Sequence, residues 1–177
     1  MSKVGKEILE WIKTIAVALV IAFIITTFIR PTLVRGYSMY PTLEENDYLI
    51  ISRMAYNNDI PNRGDIIVFK SHLIQENGKG KDLVKRVIAT EGDHVVIKDD
   101  AVYINDKLQA ESYISKEVYT AGDIDIVNPD GDIFVMGDNR ENSMDSRDPL
   151  VGLISIDDIM GKVVLRLYPF NKIGSVE

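Results

Sequence analysis

The stretch "LVKRVIATEGDHVVIKDDAVYIN", residues 83–105, holds three short runs rich in Val, Ile and Tyr, broken by Gly and Asp. Runs of four to eight β-branched or aromatic residues between turn residues read as strands. "LVKRVIA" (83–89), "HVVIK" (94–98) and "AVYIN" (101–105) are therefore expected as strands, with "KDDA" as a hairpin turn between the last two. The same signature recurs outward in "YLIIS" (48–52), "DIIVFK" (65–70), "DIFVMG" (132–137) and "KVVLRLY" (162–168). "INDK" reads as a second hairpin turn, "QENGKGKD" (75–82) as a polar hairpin loop, and "SIDDIMG" (155–161) as one short helical turn. The acidic stretch "AGDIDIVNPDGD" (121–132) reads as a solvated loop near a cleft. There is no repeat, no helix–strand alternation and no GxGxxG, so a dinucleotide-binding α/β fold is excluded.

The N-terminal part has a different character. "IAVALVIAFIITTFI" (15–29) carries no charge, and with "WIKT" before it the run approaches the ~20 residues that cross a bilayer. Lys13 can snorkel and Trp11 suits an interface. A buried core helix would show a polar stripe, and a cleaved leader would end in small residues. This run ends instead in "RPTLVRG". Residues 1–30 are thus expected as a cytoplasmic N-terminus with a transmembrane helix, and 31–177 as one β-rich domain. Lys3, Lys6 and Lys13 before the span, against Arg30 and Arg35 after it, lean toward a cytoplasmic N-terminus. The net charge of −7 argues against a nucleic-acid partner, and the absence of cysteine excludes disulfides and thiolate chemistry.

Three stretches carry candidate chemistry. In "GYSMYPTL" (36–43), Ser38 stands between Gly36 and Pro41. A serine nucleophile needs a base. His72 and His94 are the available histidines; either could pair with Ser38, and neither sits in a recognisable triad context. A neutral lysine also serves. Lys85, in a strand, shares a face with Leu83 and Val87, which would desolvate its amine. On the strand pattern alone, a charge that deters edge aggregation is the simpler reading. The S-x-x-K pattern of penicillin-binding enzymes fails, because Pro41 occupies the lysine position. The third stretch, "GDNRENSMDSRD" (137–148), lacks EF-hand spacing; it reads as a solvated loop or a self-bonded polar scaffold under a site.

In order, behind an apolar anchor, these three stretches resemble the bacterial type I signal peptidases, and the compact length resembles their small Gram-positive form. The resemblance implies a mainly β, signal-peptidase-type catalytic domain on the extracytoplasmic side of the cell membrane, with one N-terminal transmembrane helix. It implies a Ser–Lys dyad that cuts signal peptides from exported preproteins after small residues, of Ala-x-Ala type. Ser38 matches the nucleophile and Lys85 the general base. Ser143 matches the serine that orients the lysine amine. Asp145 with Arg147, and Asp138 with Arg86, match structural ion pairs. Gly36 departs from relatives whose serine there helps bind the oxyanion, leaving the Ser38 N–H as the surest donor. No metal or organic cofactor is expected. The expected partners are preprotein signal peptides and the lipid bilayer, acting on a monomer. Met39, Tyr40 and Leu43 either rest on lipid or pack the core. The rivals are a self-cleaving repressor-type protease, which would need a DNA-binding domain, a catalytically dead peptide-binding relative, and an anchored β-domain of purely structural role.

Overall fold

The computed structural model describes residues 3–57, 59–75, 78, 80–115 and 118–176, apart from the side chains of residues 3, 24 and 25. Residues 76, 77 and 79, at the tip of the expected 75–82 loop, lie outside them. Helix α1 spans Lys3–Phe28. At 1.5 Å per residue its 26 residues reach about 39 Å, more than the ~30 Å of a bilayer core. Its apolar face turns to no other part of the protein: none of its most apolar window is buried. The hydroxyls of Thr14, Thr26 and Thr27 donate to carbonyls one turn back, at 3.0, 2.8 and 2.7 Å, so they do not demand water.

The strands follow in chain order: β1 (Ile29–Leu33), β2 (Tyr48–Ser52), β3 (Ile66–Ile74), β4 (Gly80–Ala89), β5 (His94–Lys98), β6 (Ala101–Ile104), β7 (Lys107–Leu108), β8 (Ile124–Val127), β9 (Asp132–Met136), β10 (Ile154–Ser155) and β11 (Ile159–Tyr168). Among the described residues they form two sheets. One runs β1-β2-β11-β3-β4-β9-β10 and the other β7-β6-β5-β8. The fold is mainly β with one N-terminal apolar helix, in line with the sequence.

Several details differ from expectation. Ile29 and Arg30 leave the helix and open β1, so the sheet starts two residues before Pro31. Pro31 is tolerated because β1 is an edge strand, paired to β2 alone. The acidic 121–132 stretch is not a loop throughout. Ile124–Val127 pairs with β5, and Ile124 and Ile126 pack on the core while Asp125 faces outward. The helical turn is limited to Ile156–Asp158, and Met160 and Gly161 already belong to β11. The two hairpin turns form as expected. Asp99 and Asp100 (φ 49° and 60°) and Asn105 and Asp106 (φ 51° and 64°) occupy the left-handed region that two-residue hairpins require.

Two pieces of backbone matter for the site. β1 has one unpaired edge. β4 pairs with β9 only from Arg86 onward, so the edge of residues 80–85 facing away from β3 has no strand beside it. Beneath both lies a core of Val34, Met39, Leu43, Leu49, Ile51, Ile66, Val68 and Val163. Met39 and Leu43 are 2% and 0% exposed, so they are core residues and not a lipid-facing surface; Tyr40, at 50%, is the exposed member of that trio.

Candidate active site

Ser38 is carried on a tight turn held from below. Gly36, at φ +85°, takes a conformation that a side chain would strain, and it redirects the chain out of β1. Met39 and Leu43 drop into the core, and the Leu43 N–H bonds the Met39 carbonyl at 2.8 Å. The Tyr40–Pro41 peptide is cis. The turn is thus fixed at its base, with Ser38 half-buried at its top.

Lys85 reaches Ser38 from β4, where it stands opposite Ile67 of β3 and has buried Leu83 and Val87 along its own strand. Its Nζ donates to Ser38 Oγ at 2.6 Å. Lys85 is 2% exposed. Burial pushes its amine from the ordinary 10.5 down to about 8, with the Asp145 carboxylate opposing part of that fall. A neutral amine has a lone pair, so the same contact accepts the Ser38 hydroxyl proton. Among the described residues no histidine bonds Ser38. His94 pairs with Asp125 at 2.6 Å on the second sheet, and His72 is exposed on β3. Nor does any group of His, Asp and Glu among these residues stand close enough to hold a metal.

The loop after β9 closes over the Ser38 turn. Gly137 lies so close that a Cβ there would be 2.3 Å from the Ser38 carbonyl oxygen and 2.3 Å from Ser143 Oγ. The Asn139 N–H donates to the Ser38 carbonyl at 3.0 Å, and Asn139 Nδ2 to the Tyr37 carbonyl at 3.1 Å. Asp145, fully buried, accepts the Gly137 N–H at 3.0 Å and both Arg147 Nε and Nη2, at 2.8 and 2.9 Å. Burial alone would raise the Asp145 carboxyl, but the Arg147 guanidinium and the Gly137 N–H outweigh it and hold the pKa below the usual carboxylate range. Ser143 adds to that lowering, yet its buried Oγ makes no hydrogen bond of ordinary geometry with a described residue. The expected bond from Ser143 to the Lys85 amine is therefore not made here; Ser143 packs over Gly137 instead.

The second expected pair, Arg86 with Asp138, is bidentate at 2.9 and 2.8 Å and almost wholly buried. Four residues without an expected role complete this network. Arg140 pairs with Glu111, donates to Thr120 at 2.7 Å and to the Gly137 carbonyl at 3.2 Å. Tyr113 lays its ring under the Arg86 guanidinium at 4.0 Å, with Arg140 at 5.9 Å. Its hydroxyl donates to Glu111 at 2.8 Å. Arg140 lies inside the 137–148 stretch, which the sequence leaves open between a solvated loop and a polar scaffold. Glu111, Tyr113 and Thr120 lie in an irregular segment with no period or motif to single them out.

A groove of about 540 Å³ runs past Ser38. One wall comes from residues 32–39 and the other from residues 80–85, with Val68 and Met144 also lining it. Its two walls thus include the unpaired edges of β1 and β4. A buried ion-paired scaffold, a serine bonded to a desolvated amine, and a groove of mixed polar and apolar lining together suit acyl transfer on a peptide in strand conformation.

Comparison with known proteins agrees. Residues 8–168 match the family described as "Signal peptidase, peptidase S26". The chain is 39% identical to "Signal peptidase IB" of Staphylococcus aureus (strain COL), over 94% of this chain and 93% of that protein. It is 42% identical to "Signal peptidase I T" of Bacillus subtilis (strain 168), over 93% and 87%. A crystal structure of a signal peptidase I from Enterococcus faecalis V583 is 31% identical, with a TM-score of 0.47 over 58% of this chain and 95% of that one. With both the length of the match and the identity to these relatives in hand, the chain belongs to the signal peptidase family of S26 serine endopeptidases.

Proposed function

We propose that this chain is a membrane-anchored endopeptidase that removes signal peptides from exported preproteins after small residues, of Ala-x-Ala type, with a Ser38–Lys85 dyad. The observation that carries the reading is the 2.6 Å contact between Ser38 Oγ and an amine that burial brings down to about 8. The family and the named relatives support signal-peptide removal. α1 supports anchoring.

The substrate enters the groove as an extended strand between the free edges of β1 and of residues 80–85. Val34, Met39, Val68 and Val84 leave room for small side chains beside Ser38. Neutral Lys85 takes the Ser38 proton as Oγ adds to the scissile carbonyl, and the Ser38 N–H takes up the oxyanion. The lysine ammonium then protonates the leaving amine. The amine so regenerated draws a proton from water, which releases the acyl group from Ser38. Asp145 with Arg147 and Asp138 with Arg86 keep the loop in place, and Ser143 lies within the same packed layer. The domain acts on the extracytoplasmic face as a monomer, with no metal or organic cofactor in the scheme.

The test is cleavage, in detergent, of a preprotein whose signal ends in Ala-x-Ala. Wild type cuts, and Ser38→Ala and Lys85→Ala do not. Cutting that survives Lys85→Ala would overturn the dyad and return the base to a histidine. Replacing both small residues by Phe abolishes cutting; undiminished cleavage of that substrate would overturn the specificity.

A further inference from the structure

With glycine at position 36, no side-chain hydroxyl stands two residues before Ser38; in the proposed scheme the oxyanion falls to the backbone N–H of Ser38. That N–H donates to no described residue. It belongs to the same peptide unit as the Tyr37 carbonyl. The Tyr37 oxygen is filled by two donors: the Tyr40 N–H at 3.1 Å and Asn139 Nδ2 at 3.1 Å. The next carbonyl, that of Ser38, accepts the Asn139 N–H at 3.0 Å. One residue therefore grips the peptide planes on both sides of the Ser38 Cα. The absent Cβ of Gly137 is what lets the loop come this close.

A peptide unit is planar, so fixing its oxygen fixes the direction of its N–H. A donor on that oxygen also draws electron density out of the amide and strengthens its N–H as a donor, by ~10–30% in bond strength. We propose that Asn139 is a positioning residue for oxyanion stabilisation: its side-chain amide, acting through the Tyr37 carbonyl, aims and polarises the Ser38 N–H. The inference rests on Ser38 being the nucleophile. As Oγ adds to the scissile carbon, the C=O π pair moves to oxygen and the Ser38 proton goes to Lys85. The Asn139 bond matters at the moment that oxygen becomes charged, and little before it.

Two variants test this in the full-length protein in detergent. Asn139→Ala removes the side-chain donor. Asn139→Asp keeps the shape, and its carboxylate cannot donate to Tyr37. Both keep the backbone N–H that ties the loop to Ser38, so both are expected to fold, with a melting midpoint within about 5 °C of wild type. Losing an oxyanion donor outright costs about 10²–10³ in kcat; loosening one is expected to cost roughly tenfold. KM on the preprotein should stay within about twofold, and the acid limb near pH 8 set by Lys85 should not move. A peptide aldehyde, whose adduct with Ser38 puts an oxygen in the same place, should lose affinity by the same factor as kcat. The free cleaved signal peptide should bind as before. Wild-type kcat in both variants, or equal weakening of the aldehyde and of the cleaved peptide, would overturn the proposal. Failure of the underlying reading looks different: there, Ser38→Ala would still cut.

Discussion

Gly137→Ala adds one methyl group where the loop meets the Ser38 turn. The new Cβ would lie 2.3 Å from the Ser38 carbonyl oxygen and 2.6 Å from Ser143 Cβ, against an ordinary contact of 3.4–4 Å. Something must retreat by about 1 Å. Gly137 has ordinary backbone torsions, so the methyl itself, and not left-handed strain, is the disturbance. The obstacles are the Ser143 side chain and the Ser38 main chain, and the latter cannot rotate aside as a long side chain would. Moving the Ser38 carbonyl moves Ser38 Cα and its Oγ with it, and the 2.6 Å contact to Lys85 opens. A misplacement of ~1 Å in a reacting group costs roughly 10²-fold in rate. Overpacking of a tight interior costs about 1–3 kcal/mol, which lowers the melting midpoint by roughly 3–10 °C for a chain of this size. The assay is preprotein cleavage in detergent alongside thermal unfolding of the same sample. The variant should melt as one folded species and still have kcat/KM about two orders of magnitude down. Wild-type rate and wild-type melting together would mean that residue 137 does not press on Ser38, and the account of the turn would be wrong.

Further expectations concern charge. In the proposed dyad Lys85 loses its proton to act, so kcat/KM should rise about tenfold per pH unit below pH 8 and level off above it; a midpoint near 10 would refute the desolvated amine. The same shift is a stability statement. The folded amine titrates near 8 and the unfolded one near 10.5, so the unfolded chain binds the extra proton between them. The stability gap between Lys85→Met and wild type should therefore favour the variant at pH 7 and shrink from pH 8 to 10.5, as read by urea midpoints; a constant gap refutes it. Asp145, with its pKa held low, contributes stability that is present above the ordinary carboxylate range and lost as pH falls through its folded value. Asp145→Asn should cost about 3 kcal/mol at neutral pH, the low end for a broken buried pair, since Arg147 keeps the Arg140 and Ala121 carbonyls. It should also unfold with a weaker acid dependence than wild type; an unchanged acid transition would refute the assignment. Tyr113→Leu should lose about 1–2 kcal/mol of urea stability through the ring on Arg86, and Tyr113→Phe much less; equal losses would point to the Glu111 bond instead.

Most of the sheet is legible in the sequence because its strands are bounded by residues with their own conformational demands. "YLIIS" and "HVVIK" form strands with the expected limits. The paired residues Asp99–Asp100 and Asn105–Asp106 tolerate positive φ and so mark the hairpins. β8 is missed: Ile124 and Ile126 alternate with Asp123 and Asp125, a period of two that the acidity of the stretch obscures, so it reads as a solvated loop. β7 and β10 are two residues each, too short for any pattern. β1 hides because Ile29 continues the apolar run of the helix. Ser38 and Lys85 became distinguishable from a turn serine and an edge lysine only through three motifs taken together. Their approach across 47 positions is a tertiary fact. The stacking of Tyr113 on Arg86, 27 residues apart in sequence, left no local trace, because neither residue type nor neighbour is unusual for a strand and a loop.

There is no slack between α1 and the sheet. Phe28 ends the helix, Ile29 begins β1, and the Arg53 N–H fastens the Phe28 carbonyl at 3.1 Å. Ser38 lies ten positions after Phe28, a contour of at most ~35 Å. A protein hung on a floppy stalk would sample many altitudes over a membrane. If α1 is seated in lipid as proposed, this one holds its serine at a set height, and the depth of a precursor's apolar segment would then bear on which of its bonds comes level with it.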